Sequence, residues 1–315
     1  MPHVDITDLE DLRRRPFATA QAVVARPPAA PTPSRFVRSS SRTGPTKATS
    51  TRALHAERIR ELLALVRSFG HLRAHEVAMG LYRNAHYGQQ LAQRLLKGAH
   101  EAGLLVRRKN TLGGHSYVLA ERGVAQLELM GLSARHGRDI VGVSGPTLTH
   151  RLLASQYLLT RARSAMVFGE YAVAHGYAPV HRDALAKRFL KLPDGLVVYA
   201  DQAGPVFDAV EVEVSAKPLK ELVRCLAWSE CVNSTLNGPG TPRLARLVFV
   251  FDGSEGHARR ILRAARERWG HCGPTEQAAA MRRVVLCAAK VGAMATWHGC
   301  EEMTLAAWAE RTRKG

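Results

Sequence analysis

From about Ala53 the apolar positions recur with helical spacing. Leu54, Ile59, Leu62, Leu63, Leu65, Val66 and Phe69 form one stripe that stops at Gly70. The spacing predicts a shorter helix over residues 72–81 and a third from about 85 to 102, with Leu91, Leu95, Leu96 and Ala99 turned inward and Gly103 as its stop. The period then shortens. Leu104-Leu105-Val106 opens a strand, Asn110-Thr111-Leu112-Gly113-Gly114 supplies a turn, and Ser116-Tyr117-Val118-Leu119 returns as its partner. One more helix is expected over residues 123–132.

After a lead-in over residues 142–149, residues 150 to about 176 read as one long helix, with Leu152, Leu153, Tyr157, Leu158, Ala162, Met166, Val167 and Tyr171 on its buried side. Strands are expected near 178–181, over 196–200 and over 206–214, then a helix over 217–236 and a strand at 247–251, in the order α-β-β-β-α-β. A basic helix over 255–269, a strand at 284–288 and a helix near 304–312 complete the chain. Residues 1–52 have no such periodicity. Arg13-Arg14-Arg15, a Pro-rich run from Arg26 to Ser34 and a Ser/Thr/Arg stretch cannot bury enough apolar surface to offset ordering entropy, so a flexible basic arm is expected there. The predicted organisation is an arm over 1–52, a helix-and-hairpin domain over 53–135 and a second domain over 148–315, in an α+β or α/β class.

Charge narrows the partners. Lys and Arg number 45 against 27 Asp and Glu, a formal net charge of +18, which favours a polyanion, with double-stranded DNA the first candidate. No apolar stretch approaches the ~20 residues of a spanning helix, so no membrane partner is expected. The start Met1-Pro2-His3-Val4-Asp5 lacks signal-peptide order, and five scattered cysteines without a CxxC pair fit a reduced cytoplasm. His271-Cys272 and His298-Gly299-Cys300 match no common zinc spacing.

Two places carry chemistry. In Val210-Glu211-Val212-Glu213-Val214-Ser215-Ala216-Lys217 the valines share one face and Glu211, Glu213, Ser215 and Lys217 the other, after Pro193-Asp194-Gly195 has opened the preceding strand. Carboxylates from adjacent strands form a hard-oxygen site for Mg²⁺ or Mn²⁺, and a lysine beside them can stabilise phosphate charge or orient a water. Asp194, Glu211 and Glu213 are therefore the candidate metal ligands and, with Lys217, the candidate catalytic set; Glu170 is either a further carboxylate or a surface residue. The motif and the α-β-β-β-α-β order resemble the core of the PD-(D/E)XK nuclease superfamily. In that pattern the lysine stands two residues after the second acid, where this chain has Glu213, so Lys217 either reaches in from the strand end or the site is inactive.

Three helices followed by a hairpin resemble a winged helix-turn-helix. Its third helix would enter the major groove with Asn84, His86, Tyr87, Gln89, Gln90, Gln93, Arg94 and Lys97, and its wing carries Arg107, Arg108, Lys109 and His115. This unit, a helix opening with His150-Arg151-Leu152, and the Pro193-Asp194-Gly195 and Glu211-Val212-Glu213 motifs are together similar to the plasmid replication-relaxation family of Actinobacteria. That resemblance implies a DNA-binding accessory protein of plasmid replication, relaxation, mobilisation or its transcriptional control, with relaxase, replication or other mobile-element proteins as partners and the nucleoid or plasmid as its location.

Three functions compete: a DNA-binding protein whose nuclease-like fold is a platform, a Mg²⁺-dependent endonuclease or nickase, and a protein-binding adaptor. The lysine position favours the first. The sequence leaves the oligomeric state open between monomer and homodimer. It contains no nucleotide-binding glycine loop, HExxH or GxSxG. Deleting residues 1–50 is expected to leave thermal unfolding almost unchanged; calorimetry of the truncated chain checks this, and a large fall in Tm would show that the arm packs on the body.

Overall fold

The computed structural model describes residues 51–136, 140–215, 217–236 and 241–314. The expected basic arm lies outside these residues but for its last two positions. The first stripe folds as predicted into α1 (Thr51–Phe69), followed by α2 (Ala74–Leu81) and α3 (Gly88–Glu101). The hairpin is β1 (Leu105–Lys109) and β2 (His115–Leu119), paired antiparallel from Leu105↔Leu119 to Lys109↔His115. Asn110 holds its turn: buried, it accepts from the backbone N–H of Leu112 and Gly114 and donates to Ser116 Oγ. Leu72 adds a short antiparallel bridge to Tyr117, which ties the hairpin to the connection between α1 and α2. Then come α4 (Glu121–Leu129) and α5 (Gly145–Arg161), the latter capped by Ser144 with Pro146 in its first turn.

The long helix expected over 150–176 is not continuous. It ends at Arg161, and Met166–Gly169 forms β3, paired antiparallel with β4 (Gly195–Asp201); α6 (Glu170–Ala174) follows. The apolar residues at 162, 166, 167 and 171 satisfy a helical period, but an open sheet edge captured Met166-Val167-Phe168 instead. The strand expected near 178–181 is correspondingly absent among the described residues: His181 caps α7 (Arg182–Phe189), its Nδ1 accepting from the Asp183 N–H. Next come β5 (Gly204–Glu213), α8 (Leu219–Leu226) with a 3₁₀ turn to Cys231, β6 (Arg243–Phe251), α9 (Glu255–Trp269), α10 (Pro274–Arg282), β7 (Val284–Gly292), β8 (Thr296–Thr304) and α11 (Leu305–Lys314).

Six strands form one mixed sheet in the order β3-β4-β5-β6-β7-β8, with β5-β6 and β6-β7 parallel and the other pairs antiparallel. The protein is thus an α+β fold, with eleven α-helices among the described residues. Both faces of the sheet are covered. On one, Val197, Val210, Val212, Val248, Val250 and Cys287 join a cluster continuous with Leu62, Phe69, Leu96 and Leu105 of the helix-and-hairpin unit, with α5 between. On the other, Phe207, Ala209, Leu247 and Phe249 meet Leu222, Ile261, Ala265 and Trp228. Helix α5 lies so close to β4 that a Cβ on Gly195 would come within 2.5 Å of Leu158 Cδ1.

A second contact joins the helical unit to the far end of the sheet. Met294 and Ala295, between β7 and β8, adopt φ of 55° and 53°, a left-handed conformation costly for residues with a Cβ. Polar side chains hold it. Gln156 of α5 donates to Ala295 O at 2.8 Å and accepts from Trp297 N at 2.6 Å, while Arg73, itself paired with buried Glu76, donates to Met294 O at 2.5 Å. Gln156→Ala is expected to cost about 1–3 kcal/mol, because it removes the side-chain acceptor of buried Trp297 N and leaves Ala295 O only the longer bond from Arg73 Nη2 at 3.3 Å; urea unfolding measures it, and a loss below about 0.5 kcal/mol would show that the turn does not depend on the clamp.

Candidate functional site

The alternation predicted for β5 holds, but its second face is not solvated. Val210 and Val212 enter one core, Phe207 and Ala209 the other, and Glu211 and Glu213 follow on that second side as buried carboxylates. Burying an ionised carboxylate is tolerated only with paired charge and hydrogen bonds. Here lysines supply them. After the strand the chain turns back, so Lys217 Nζ reaches Glu211 Oε1 at 2.6 Å, Val212 O at 2.8 Å and Glu213 Oε2 at 3.3 Å, while its backbone N–H donates to Glu213 Oε1 at 3.0 Å. Lys191, from the segment after α7, donates to the same Glu211 Oε1 and lies over the Trp228 ring.

Asp194 is fixed from both sides. Its Oδ2 accepts from Val212 N at 2.7 Å, Oδ1 pairs with His150 Nε2 of α5 at 3.0 Å, and its backbone carbonyl accepts from Glu170 N at 2.9 Å. Asp194, Glu211, Glu213 and Lys217 are thus brought to one end of the β4-β5 pair, as the sequence predicts. His150 and Lys191 are the members that sequence reasoning did not place there; His150 stood in a recognised motif without a role, and Lys191 lies in a loop whose path no periodicity reveals. Glu170 stands near, its half-exposed carboxylate 3.9 Å from Arg151, and both line a shallow cleft with Ser155, His150 and Asp194.

The electrostatics follow from burial. Glu211 is pushed above the ordinary carboxylate range by desolvation and by Asp194, against the pull of Lys217 and Lys191. Desolvation acts on Asp194 in the same sense, but the His150 hydrogen bond and charge, with the two lysines, win and lower it. Burial disfavours the His150 imidazolium, yet its bond to Asp194 raises it overall. Both lysines are raised: burial opposes the charged form, but Glu211 and Asp194 outweigh it. Cys225 beside them is held as a neutral thiol, pushed up to about 12 by burial and by Glu211.

A divalent ion fits this arrangement poorly. Among the described residues the group whose ligand atoms all lie within 4.8 Å of one another is Cys287, Cys300 and Glu302, not Asp194, Glu211 and Glu213. Glu211 Oε1 is occupied by two ammonium groups, although Oε2 of Glu211 and of Glu213 are buried without a hydrogen bond. Three carboxylates face Lys191, Lys217 and His150, so the cluster balances its own charge when His150 is protonated. His271, Cys272 and His298 join no metal-binding group among the described residues.

The second candidate is a surface. Helix α3 buries Ala92, Leu95, Leu96 and Ala99 and exposes Gln89, Gln90, Gln93, Arg94 and Lys97, while Asn84, His86 and Tyr87 are exposed just before it. In β1 the alternation gives way at Arg107, Arg108 and Lys109, all exposed, although the turn beyond them packs on the body, with Leu112 against Leu148 and Leu152 and Thr111 Oγ1 donating to Val143 O at 3.0 Å; His115 opposite Lys109 is exposed too. Among the described residues Gln90, Arg94, Arg107, Arg108 and Lys109 have no intramolecular side-chain partner, and Lys97 has Glu101 at 3.8 Å. The basic helix α9 differs. His257, Arg259, Arg260 and Arg268 are engaged by Asp252, Glu255, Lys217 O and Glu230, which leaves Arg263 and Arg266. No helix of the described residues is long and apolar enough to cross a membrane. No protein-family model, curated protein or solved structure matches the chain.

The His150–Asp194 pair has a pH signature. The Asp194 part, from a lowered pKa, is present above the ordinary carboxylate value of 3.8 and lost as pH falls through the folded value. The His150 part, from a raised pKa, is present below the ordinary imidazole value of 6.5 and lost as pH rises through the folded value. The stability lost in His150→Ala is therefore expected to be greatest, about 1.5–3 kcal/mol, near pH 5 and smaller at pH 9. Denaturant unfolding of both proteins across pH measures this, and a pH-independent difference would remove the charged pair.

Proposed function

We propose that the chain binds double-stranded DNA as an accessory protein of a plasmid or other mobile element, without cutting it. The observation that carries this reading is the juxtaposition of two exposed elements: the glutamine- and arginine-rich face of α3 and the basic outer end of β1, whose Arg107, Arg108 and Lys109 have no side-chain partner among the described residues. The order α1, α2, α3, β1, β2, with the Leu72 bridge onto Tyr117, supports a winged helix in which α3 enters the major groove and the hairpin contacts backbone. Glutamine bidentate to adenine and arginine to guanine suit that face.

The sheet, with α5 and α8, supports a PD-(D/E)XK-like reading of residues 148–315, in which the lysine has moved from the position of Glu213 to Lys217. Two ammonium groups on Glu211 perform the neutralisation that a cation performs in a metal nuclease. The domain is therefore a rigid platform for the winged helix and for replication, relaxation or mobilisation proteins that share the DNA. A bacterial cytoplasmic location on plasmid or nucleoid follows from this reading.

Gln90→Ala with Arg94→Ala is expected to weaken specific binding by about 1–3 kcal/mol per base contact. Replacing Arg107, Arg108 and Lys109 together should lower affinity for all sequences and reduce the magnitude of the log-log salt slope by about 2.7 if each contacts a phosphate. Fluorescence anisotropy at several salt concentrations separates the two effects, and unchanged binding in both variants would sink the assignment. Supercoiled plasmid incubated with Mg²⁺, Mn²⁺ or EDTA should be retarded but stay intact. Metal-dependent nicking that is abolished by Asp194→Asn while DNA binding persists would establish the nickase alternative instead.

A further inference from the structure

The β7-β8 pair places soft ligands where the proposed DNA function has no use for them. Cys287 stands opposite Glu302 and Ala289 opposite Cys300, so these four side chains share one face of an antiparallel ladder. Ala289 contributes only a methyl group, which leaves room among the other three. The two sulfurs and a Glu302 oxygen all lie within 4.8 Å of one another, close to the roughly 3.8 Å that separates two sulfurs on a tetrahedral ion with bonds of about 2.3 Å.

We infer that Cys287, Cys300 and Glu302 form a binding site for one Zn²⁺, with the fourth position open to solvent. Thiolate donors select a soft or borderline ion over Mg²⁺ or Ca²⁺. Cys287 is buried and Cys300 exposed, so the ion enters from solvent and seats against the sheet. Arg161, at the last turn of α5, contacts Glu302, which orients that carboxylate as outer-sphere partners do, and its guanidinium stacks over Tyr157. The charges close: two thiolates and a carboxylate are balanced by the divalent ion and the guanidinium. A disulfide suits the same positions less well. Cys287 and Cys300 are diagonal neighbours, whose Cα atoms are typically about 7–8 Å apart, beyond the roughly 6.8 Å a disulfide spans. An ion bridging the two would fasten edge strand β8 to β7 just beyond the clamped Met294-Ala295 turn.

The test uses the full-length chain, reduced, stripped of metal and titrated with Co²⁺ as the probe, then with Zn²⁺ in competition. One equivalent of Co²⁺ should bind with a sulfur-to-cobalt charge-transfer band that Zn²⁺ displaces, and Zn²⁺ should raise Tm by about 4 °C or more at saturating concentration. Cys300→Ser, at the surface, should cut the band intensity by at least half, one thiolate remaining, and weaken Zn²⁺ binding by more than about 100-fold, beyond the loss typical of outer-shell partners. Glu302→Gln should weaken it while keeping the band, and Cys272→Ser should change neither. Circular dichroism of each variant verifies folding. A reduced, folded wild type that shows no thiolate band, or a band and an affinity undiminished in Cys300→Ser, overturns the site. So does a Cys287–Cys300 disulfide in the air-oxidised protein together with no Co²⁺ uptake after reduction, which would make the pair a redox dithiol.

Discussion

Strand β5 is buried on both faces, and that constraint organises the rest of the molecule. A strand in the middle of a mixed sheet, parallel to one neighbour and antiparallel to the other, normally reads as unbroken hydrophobe. This one carries Asp208, Glu211 and Glu213, all almost fully buried. Each acid must bring its counter-charge into the core. Arg246 and the Tyr199 hydroxyl meet Asp208, with Arg246 Nη2 at 2.5 Å; Lys191 and Lys217 meet Glu211; Lys217 also meets Glu213. The loop before β4 and the turn after β5 are thereby pinned to the same point, and their geometry follows from the strand's charge.

The same burial couples the helix-and-hairpin unit to the sheet. Because Val210 and Val212 need cover, the first helices are packed against the sheet with α5 between, in one continuous apolar cluster. Arg73 and Gln156 add polar contacts to the Met294-Ala295 turn at the far edge. A unit held by both packing and directional hydrogen bonds has little freedom to rotate, so the exposed faces of α3 and the hairpin keep a fixed orientation relative to the carboxylate–lysine cluster.

The parts legible in the sequence are those where local pattern and tertiary environment agree. The α1 stripe, the Asn110 turn and the period of β5 satisfy both. The failures have physical causes. Met166-Val167-Phe168 fits a helical period and is a strand only because β4 offers an unpaired edge. Strand β8 contains Gly299 at φ 138°, a ladder irregularity opposite it and mostly exposed polar residues, so no alternation announces it. Among the site residues, Asp194, Glu211, Glu213 and Lys217 are close in sequence and were found from spacing. Lys191 and His150 come from a loop and from a helix whose register against β4 is set by packing, with Leu158 on Gly195, which no one-dimensional pattern carries.

The position of the lysine decides more than its presence. A lysine two residues after Glu211 would project from the strand on the same side as the acid, beside a bound ion. Glu213 takes that place and adds a negative charge, and the chain restores balance from outside the strand with Lys217 and Lys191. A divalent ion on Glu211 would have to take Oε2, because Oε1 already holds both ammonium groups, and those two cations beside the same carboxylate would oppose it. Desolvation already biases Glu211 toward its protonated form, so the weaker response to losing a lysine is uptake of a proton rather than of a metal ion. With Glu213 at that place, the acids of β5 and the two lysines form a self-neutralised cluster that pins the loop before β4 to the turn after β5.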